Sequence, residues 1–159
     1  MTIVLMGVAG SGKTTVGAAL AARLGLEFYD ADLAHSPEAR EQMGRGVPLT
    51  DAQRDAWIER VVAVIGDGSP RVAACSALRR GDRDRIRAAD PVRFVLLDVH
   101  SDLLEERLAQ RDAHFFPAEL LQSQLDRFEG PTPDENVIVV DASRPVAELV
   151  DDLAARLRR

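Results

Sequence analysis

Residues 7–14 read Gly7-Val8-Ala9-Gly10-Ser11-Gly12-Lys13-Thr14 and fit the spacing G-x-x-x-x-G-K-[ST] in full. Glycines at these places let backbone N–H groups turn inward around phosphate oxygens, and a helix opening at Lys13 adds its positive end. A lysine in the loop reaches the β- and γ-phosphates of a nucleoside triphosphate, and the threonine hydroxyl is suited to hold Mg²⁺. Lys13 is the only lysine in a chain rich in arginine. A compact ammonium on a slim stem fits a tight nest that the broad guanidinium fork does not. The phosphate-binding candidates are therefore Gly7, Ala9, Gly10, Ser11, Gly12, Lys13, Thr14 and Thr15. With its one lysine so used, the chain has no N-K-x-D element, and guanine reading of that kind is excluded.

Asp30-Ala31-Asp32 follows a short apolar stretch, Glu27-Phe28-Tyr29, that reads as a second strand. Ligands of open parallel sheets sit beyond the carboxyl ends of strands, so both carboxylates should face the phosphate loop. Alternate residues of extended chain point to opposite sides, so the two can divide the work. One of the pair Asp30 and Asp32 can sit in the water shell of Mg²⁺ while the other accepts the proton of an acceptor hydroxyl. His35 has a weaker claim, since a lone loop histidine is commonly a hydrogen-bonded surface group. Two arginine groups lie downstream: Arg79, Arg80 and Arg83 after the third apolar segment, and Arg107 with Arg111 after the fourth. Phosphoryl transfer is mainly positioning and charge stabilisation, so cations that close over ATP are needed. The loop Arg111-Asp112-Ala113-His114-Phe115-Phe116-Pro117 suits a lid.

The elements that must position these groups alternate between strand-like and helix-period segments, so the fold class is α/β with a five-stranded, mainly parallel sheet flanked by helices. Strands are expected at 3–6, 27–29, 72–75, 92–99 and 137–140. Helices are expected at 13–24 with Gly25 as cap, from Ser36-Pro37 to Gly44 or Gly46, from a Thr50/Gln53 capping box to Gly66, from Ser101 to Gln110, and from Pro117 to Phe128. A last helix should turn Val146, Leu149, Val150, Leu153 and Leu157 inward.

The chain has 159 residues, 46% hydrophobic and 29% charged, the balance of one globular domain with its own core. A formal net charge of −6 disfavours nucleic acid or anionic membrane as partner. No apolar run approaches the ~20 residues of a membrane span, no signal peptide is read at the N-terminus, and the lone Cys75 suits a reducing cytoplasm.

Several blocks resemble the gluconate kinase family. They are residues 7–15; residues 28–32 with His35; Met43 with Gly46-Val47-Pro48-Leu49-Thr50-Asp51; Arg54 with Trp57; Cys75-Ser76-Ala77-Leu78 with Arg83-Asp84; and His114-Phe115-Phe116-Pro117 with Leu120-Leu121 and Ser123-Gln124. The resemblance runs nearly end to end; its first two blocks are shared with shikimate kinases. It implies a P-loop fold like that of adenylate and shikimate kinases, use of ATP and Mg²⁺, phosphorylation of D-gluconate to 6-phosphogluconate, and a homodimer. It makes Asp32 the base and Lys13 the phosphate clamp. Arg111 and His114 become part of a lid at about 111–130. His35, Arg54 and Arg83 fall at or near the sugar acid, with an acceptor region at about 35–58, and Arg107 falls near the adenine. The chain departs from the family pattern at Ala39, Gln42, Ala56 and Asp82, all in the acceptor half. Arg40 or Arg45 could replace the cation lost at Gln42. Another sugar acid, cyclitol or polyol stays open as acceptor, and so does a nucleotide-binding module without catalysis, against which the intact Lys13, Thr14, Asp30 and Asp32 argue.

Overall fold

The computed structural model describes residues 1–110 and 118–158. Five parallel strands form one sheet: β1 (Thr2–Met6), β2 (Glu27–Asp30), β3 (Arg71–Ala74), β4 (Val92–Asp98) and β5 (Ile138–Asp141), in the order β2-β3-β1-β4-β5. Seven helices join and follow them among the described residues: α1 (Lys13–Leu24), α2 (Pro37–Gly44), α3 (Asp51–Ile65), α4 (Arg80–Ala89), α5 (Ser101–Gln110), α6 (Ala118–Arg127) and α7 (Val146–Leu157).

Strand side chains alternate between two cores. Ile3, Leu5, Val72, Val95, Leu97 and Val140 pack against α1 and α7. Val4, Met6, Ala73, Phe94 and Leu96 face the other way, against Trp57, Ile58, Val61 and Ile65 of α3 and Ile86 of α4. A third cluster joins Val8 of the phosphate loop to Leu104 of α5 and Leu121 of α6. β1 is thus central, with β3 on one side and β4 on the other. Its carboxyl end opens where the chain order reverses, the place where such sheets hold ligands.

Local signals act as read. The Thr50 hydroxyl accepts from Gln53 N–H while the Gln53 side chain accepts from Thr50 N–H, closing the capping box of α3. Ser36 caps α2 with Pro37 in the first turn. Cys75 is buried in the second core, and burial pushes its thiol up to about 12, which leaves it inert.

Three expectations are corrected. Val146 is 37% exposed rather than packed inward, because it borders a cleft beside the phosphate loop. The chain leaves extended geometry at Asp30 and enters a 3₁₀ turn, Ala31–Ala34, which Asp30 caps by accepting from Asp32 N–H at 3.0 Å. Asp30 and Asp32 both line one cavity with the phosphate loop, reaching it from this turn rather than from extended chain.

The third correction is Arg83, expected near the sugar acid. Its side chain is 0% exposed and donates to both carboxylate oxygens of Glu135, at 2.6 and 2.8 Å. It also donates to the carbonyls of Ala77 and Leu78, at 3.1 and 3.2 Å. All three guanidinium nitrogens are engaged within the fold and the side chain does not line the cavity, so Arg83 is turned away from a ligand there. Its contribution is to hold the β3–α4 turn, where Ala77 sits at φ 43°, a sparsely populated conformation that needs outside support.

Glu135, bonded by Arg83, is held down to about 2 from 4.5. A carboxyl depressed on folding stabilises fully above its unfolded value and loses that contribution as pH falls from about 4.5 toward about 2. Glu135→Gln, by leaving a buried guanidinium uncompensated, should lower unfolding free energy by about 3 kcal/mol or more. Denaturant unfolding at neutral pH checks the loss; the same titration between about pH 5 and pH 2 should show a shallower acid slope for the variant.

Candidate active site

The phosphate loop is built by backbone geometry. Gly7 adopts φ 146° and Gly12 φ 97°, both in the half of conformational space that L side chains avoid. A Cβ on Gly7 would come within 2.9 Å of Ser11 Oγ and 3.0 Å of the Leu97 carbonyl, so no side chain fits there. Gly12 is also the residue that starts α1. It supplies no side-chain cap, and the first turn of α1 holds no acidic residue. By contrast, α2 and α3 have both a hydroxyl cap and an acid in that turn. The first N–H groups of α1 and its positive end are therefore open to an anion. Ser11 Oγ, buried without a hydrogen-bond partner, lies in the same bend.

Two long-range contacts brace this bend. Gln124 Oε1 of α6 accepts from Ala9 N–H at 2.7 Å. Arg107 of α5 donates to the carbonyls of Gly10 and Ser11 at 3.3 and 3.4 Å, and to Ala142 at 2.8 Å. Lys13 Nζ donates to Val8 O at 3.0 Å, which lays its stem across the loop.

The bend separates two openings. The larger is a cavity of about 530 Å³ reaching from Gly10, Gly12, Lys13 and Thr14 to a wall made by the turn after β2, by α2, α3 and the β3–α4 turn, with α6 across it. Asp30, Asp32, His35 and Arg54 all line it. The smaller, about 280 Å³, lies on the far side of the loop and is bordered by Thr15, Arg107, Gln110, Arg144 and Val146. Arg107 and Thr15 thus stand apart from the acceptor candidates. Arg111 and His114 lie outside the described residues, as does the first part of the segment 111–130 expected to form a lid.

The carboxylate of Asp32 is 74% exposed and reaches into solvent at the cavity, 3.9 Å from His35 Nε2. The His35 ring stacks on Trp57 with centroids 4.9 Å apart and planes 10° apart. Trp57 in turn donates from Nε1 to Ala31 O at 2.8 Å, so one indole fixes both the aspartate turn and the histidine. Burial is the largest influence on His35 and lowers its pKa from 6.5; Arg40 and Arg60 push the same way, and Asp32 opposes them. The ring is neutral at neutral pH, with Nδ1 buried and unpartnered.

The charge balance of the large cavity opposes that of the whole chain. Lys13, Arg40, Arg54, Arg79 and Arg127 line it against the carboxylates of Asp30, Asp32 and Asp82, in a protein of net charge −6. A basic pocket in an acidic surface selects small anions. Among these cations Arg40 supplies the charge expected at Gln42, whereas Arg45 does not line the cavity. Gln42 is occupied elsewhere, donating to Pro48 O at 2.8 Å and accepting from Gln53 Nε2 at 2.9 Å. Asp82 is taken up by Arg79, which donates to it at 3.3 and 3.4 Å. Arg127, Gln124 and Leu120 had no motif chemistry of their own. Leu120 and Gln124 belong to a block that resembles the gluconate kinase family, whereas Arg127 belongs to none; the spacing of 120, 124 and 127 puts the three on one helix face.

The residues fit a divalent ion with nucleotide. No group of three or more His, Cys, Asp or Glu among the described residues could hold a metal alone. Thr14 and Asp30 at one end of the cavity suit instead a hard ion that keeps water and phosphate oxygens as most of its ligands. Among the described residues no helix is long and apolar enough to cross a membrane.

A family model described as an AAA domain matches residues 2–131. A gluconokinase of Gluconobacter oxydans is 42% identical over 95% of this chain and 88% of its own length. The solved structure of a gluconokinase from Sinorhizobium meliloti 1021 superposes with a TM-score of 0.88 at 40% identity, covering 99% of this chain and 91% of that one. A shikimate kinase from Bacteroides thetaiotaomicron shares the fold alone, with a TM-score of 0.74 at 20% identity over 100% and 99% of the two chains. A phosphate bend with its helix end left open, two carboxylates across a basic cavity, and relatives matched along nearly the whole length place the chain in the gluconokinase family of P-loop kinases.

Proposed function

We infer that this enzyme transfers the γ-phosphoryl group of ATP to a hydroxyl of D-gluconate, giving 6-phosphogluconate and ADP. The observation that carries this reading is the cavity that joins Lys13 and Thr14 to Asp32, His35 and Arg54 in one space with a cationic wall. The triphosphate lies along the bend, its oxygens on the N–H groups at the start of α1 and on Lys13. Mg²⁺ held through Thr14 and Asp30 neutralises phosphate charge when bound. Asp32 takes the proton of the acceptor hydroxyl as its oxygen bonds to the γ-phosphorus and the bond to the bridging oxygen of ADP breaks. His35, neutral and stacked on Trp57, offers one ring nitrogen for an acceptor hydroxyl, and Arg40 and Arg54 favour an acid over a neutral sugar. Arg107 and Thr15 border the opening assigned to the adenosine half. Family resemblance adds a homodimer to this reading, and the lone Cys75 adds a reducing cytoplasm.

A coupled assay of ADP release across a panel of sugar acids, cyclitols and polyols tests the acceptor; good turnover elsewhere with none on gluconate would refute it. Asp32→Asn should lower kcat by about 10²–10⁴-fold while ATP affinity, read by titration calorimetry, stays near wild type. Lys13→Ala should abolish turnover and weaken ATP binding together. Because folding lowers the pKa of His35 below 6.5, its contribution to stability is complete above that value and declines as pH falls through it. Unfolding midpoints between about pH 7.5 and pH 5 should therefore drop less for His35→Gln than for wild type.

A further inference from the structure

Removing Arg83 from the acceptor wall leaves open which guanidinium meets the acid group of the acceptor. Most cations of the cavity already have oxygen partners. Arg40 donates to Leu33 O at 3.0 Å, Arg54 donates to Leu49 O at 3.2 Å, and Arg79 is paired with Asp82. Arg127 differs. Its Nη1 is buried and has no hydrogen-bond partner, although the side chain lines the cavity. Among the described residues no hydrogen bond or ion pair engages the Arg127 guanidinium, so the part of the side chain that borders the cavity is available to a ligand oxygen there.

The placement of Arg127 says which oxygen. Ser123, Gln124 and Arg127 line the cavity from one face of α6. Gln124 marks the phosphate end through its bond to Ala9 N–H, and Arg127 is one turn further on, at the last residue of the helix. That end is tied to the acceptor wall: Glu129 N–H donates to Leu78 O at 2.8 Å, and Arg80 N–H donates to Glu129 Oε2 at 2.9 Å. Asp82, the carboxylate in the same wall, is engaged by Arg79 and so does not claim Arg127.

We propose that Arg127 is a specificity-determining cation of this enzyme, receiving the carboxylate of the acceptor on the side of its guanidinium that borders the cavity. The proposal rests on the reading that the acceptor is an acid, and it deepens that reading by naming the group that recognises the acid. A planar fork suits a carboxylate through two parallel N–H bonds, which an ammonium cannot supply.

Equilibrium titration of wild type, R127Q and R127K with D-gluconate, with D-glucitol (the neutral polyol of the same length) and with ATP tests it. R127Q should weaken gluconate at least tenfold, with ATP affinity, D-glucitol affinity and the unfolding midpoint unchanged. R127K, which keeps the charge and loses the fork, should weaken gluconate about threefold or more and D-glucitol not at all; it decides the matter should R127Q fail to fold. Gluconate affinity within twofold of wild type in the folded variants overturns the proposal. So does an equal loss for gluconate and D-glucitol, which marks a structural role, or a fall in kcat at unchanged affinity, which marks a role at the transferred phosphoryl group. If the wild type turns over a different sugar acid, the same titration with that acid and its alditol decides the role of Arg127, while the gluconate reading falls by itself. A wild type that prefers the neutral polyol overturns both.

Discussion

The open amino end of α1 is the constraint on which the rest of this molecule depends. An uncapped helix start leaves several N–H donors without partners, a cost that most helices avoid with a hydroxyl or carboxylate. Here Gly12 starts the helix and nothing caps it, while Gly7 lets the loop pass within reach of Ser11 and Leu97 where a Cβ would collide. The unmet donors are affordable only if the loop is held from outside until an anion arrives. Gln124 does so from α6 and Arg107 from α5, and Val8 is anchored among Leu104 and Leu121 of the same two helices. The helices that brace the phosphate loop are thus also walls of its two openings, so nucleotide and acceptor spaces are positioned by shared contacts.

The acceptor half shows how a charge can be relocated without being lost. At Gln42 the expected cation is missing, yet the amide is used to bind Pro48 and Gln53, tying the loop before α3 to the helix it precedes. Arg40, on the same helix, brings a guanidinium to the cavity instead. Ala39 is buried within α2, and Ala56 lies on the exposed face of α3 away from the cavity, so neither bears on recognition. Asp82 brings a carboxylate into the wall, but Arg79 engages it three residues away. The departures that looked damaging one by one leave a cavity that is still basic.

Arg83 carries the opposite lesson. An arginine beside a substrate-facing segment invites a functional reading, but this guanidinium is fully buried, with each of its nitrogens bonded inside the fold and none of it lining the cavity. The pair with Glu135 spans the start of α4 and the turn before β5, and it supports the backbone at Ala77 and Leu78. It thereby shapes the cavity wall without entering it. Such a buried pair adds little net stability over apolar packing of the same volume; what it supplies is a fixed geometry that fails badly when either partner is lost.

The elements themselves were legible because their signals are local. Apolar runs of four to seven residues, the Thr50/Gln53 box, Ser36-Pro37 and the glycine after Leu24 each act within a turn or two, and the elements expected from them are observed within a residue or so; α4 (Arg80–Ala89) was missed, because its segment is mostly charged and buries Ile86 as its one large apolar side chain. The phosphate loop was legible for the same reason: its function lies in consecutive backbone amides, so the motif is the site. Only tertiary structure decided which arginines border the cavity, since Arg83 and Arg127 differ not in residue type but in their partners: Glu135 engages the first, and no side chain among the described residues engages the second where it lines the cavity. A long, flexible side chain carries its charge several ångströms from its backbone, and where that charge comes to rest depends on partners dozens of residues away in the chain.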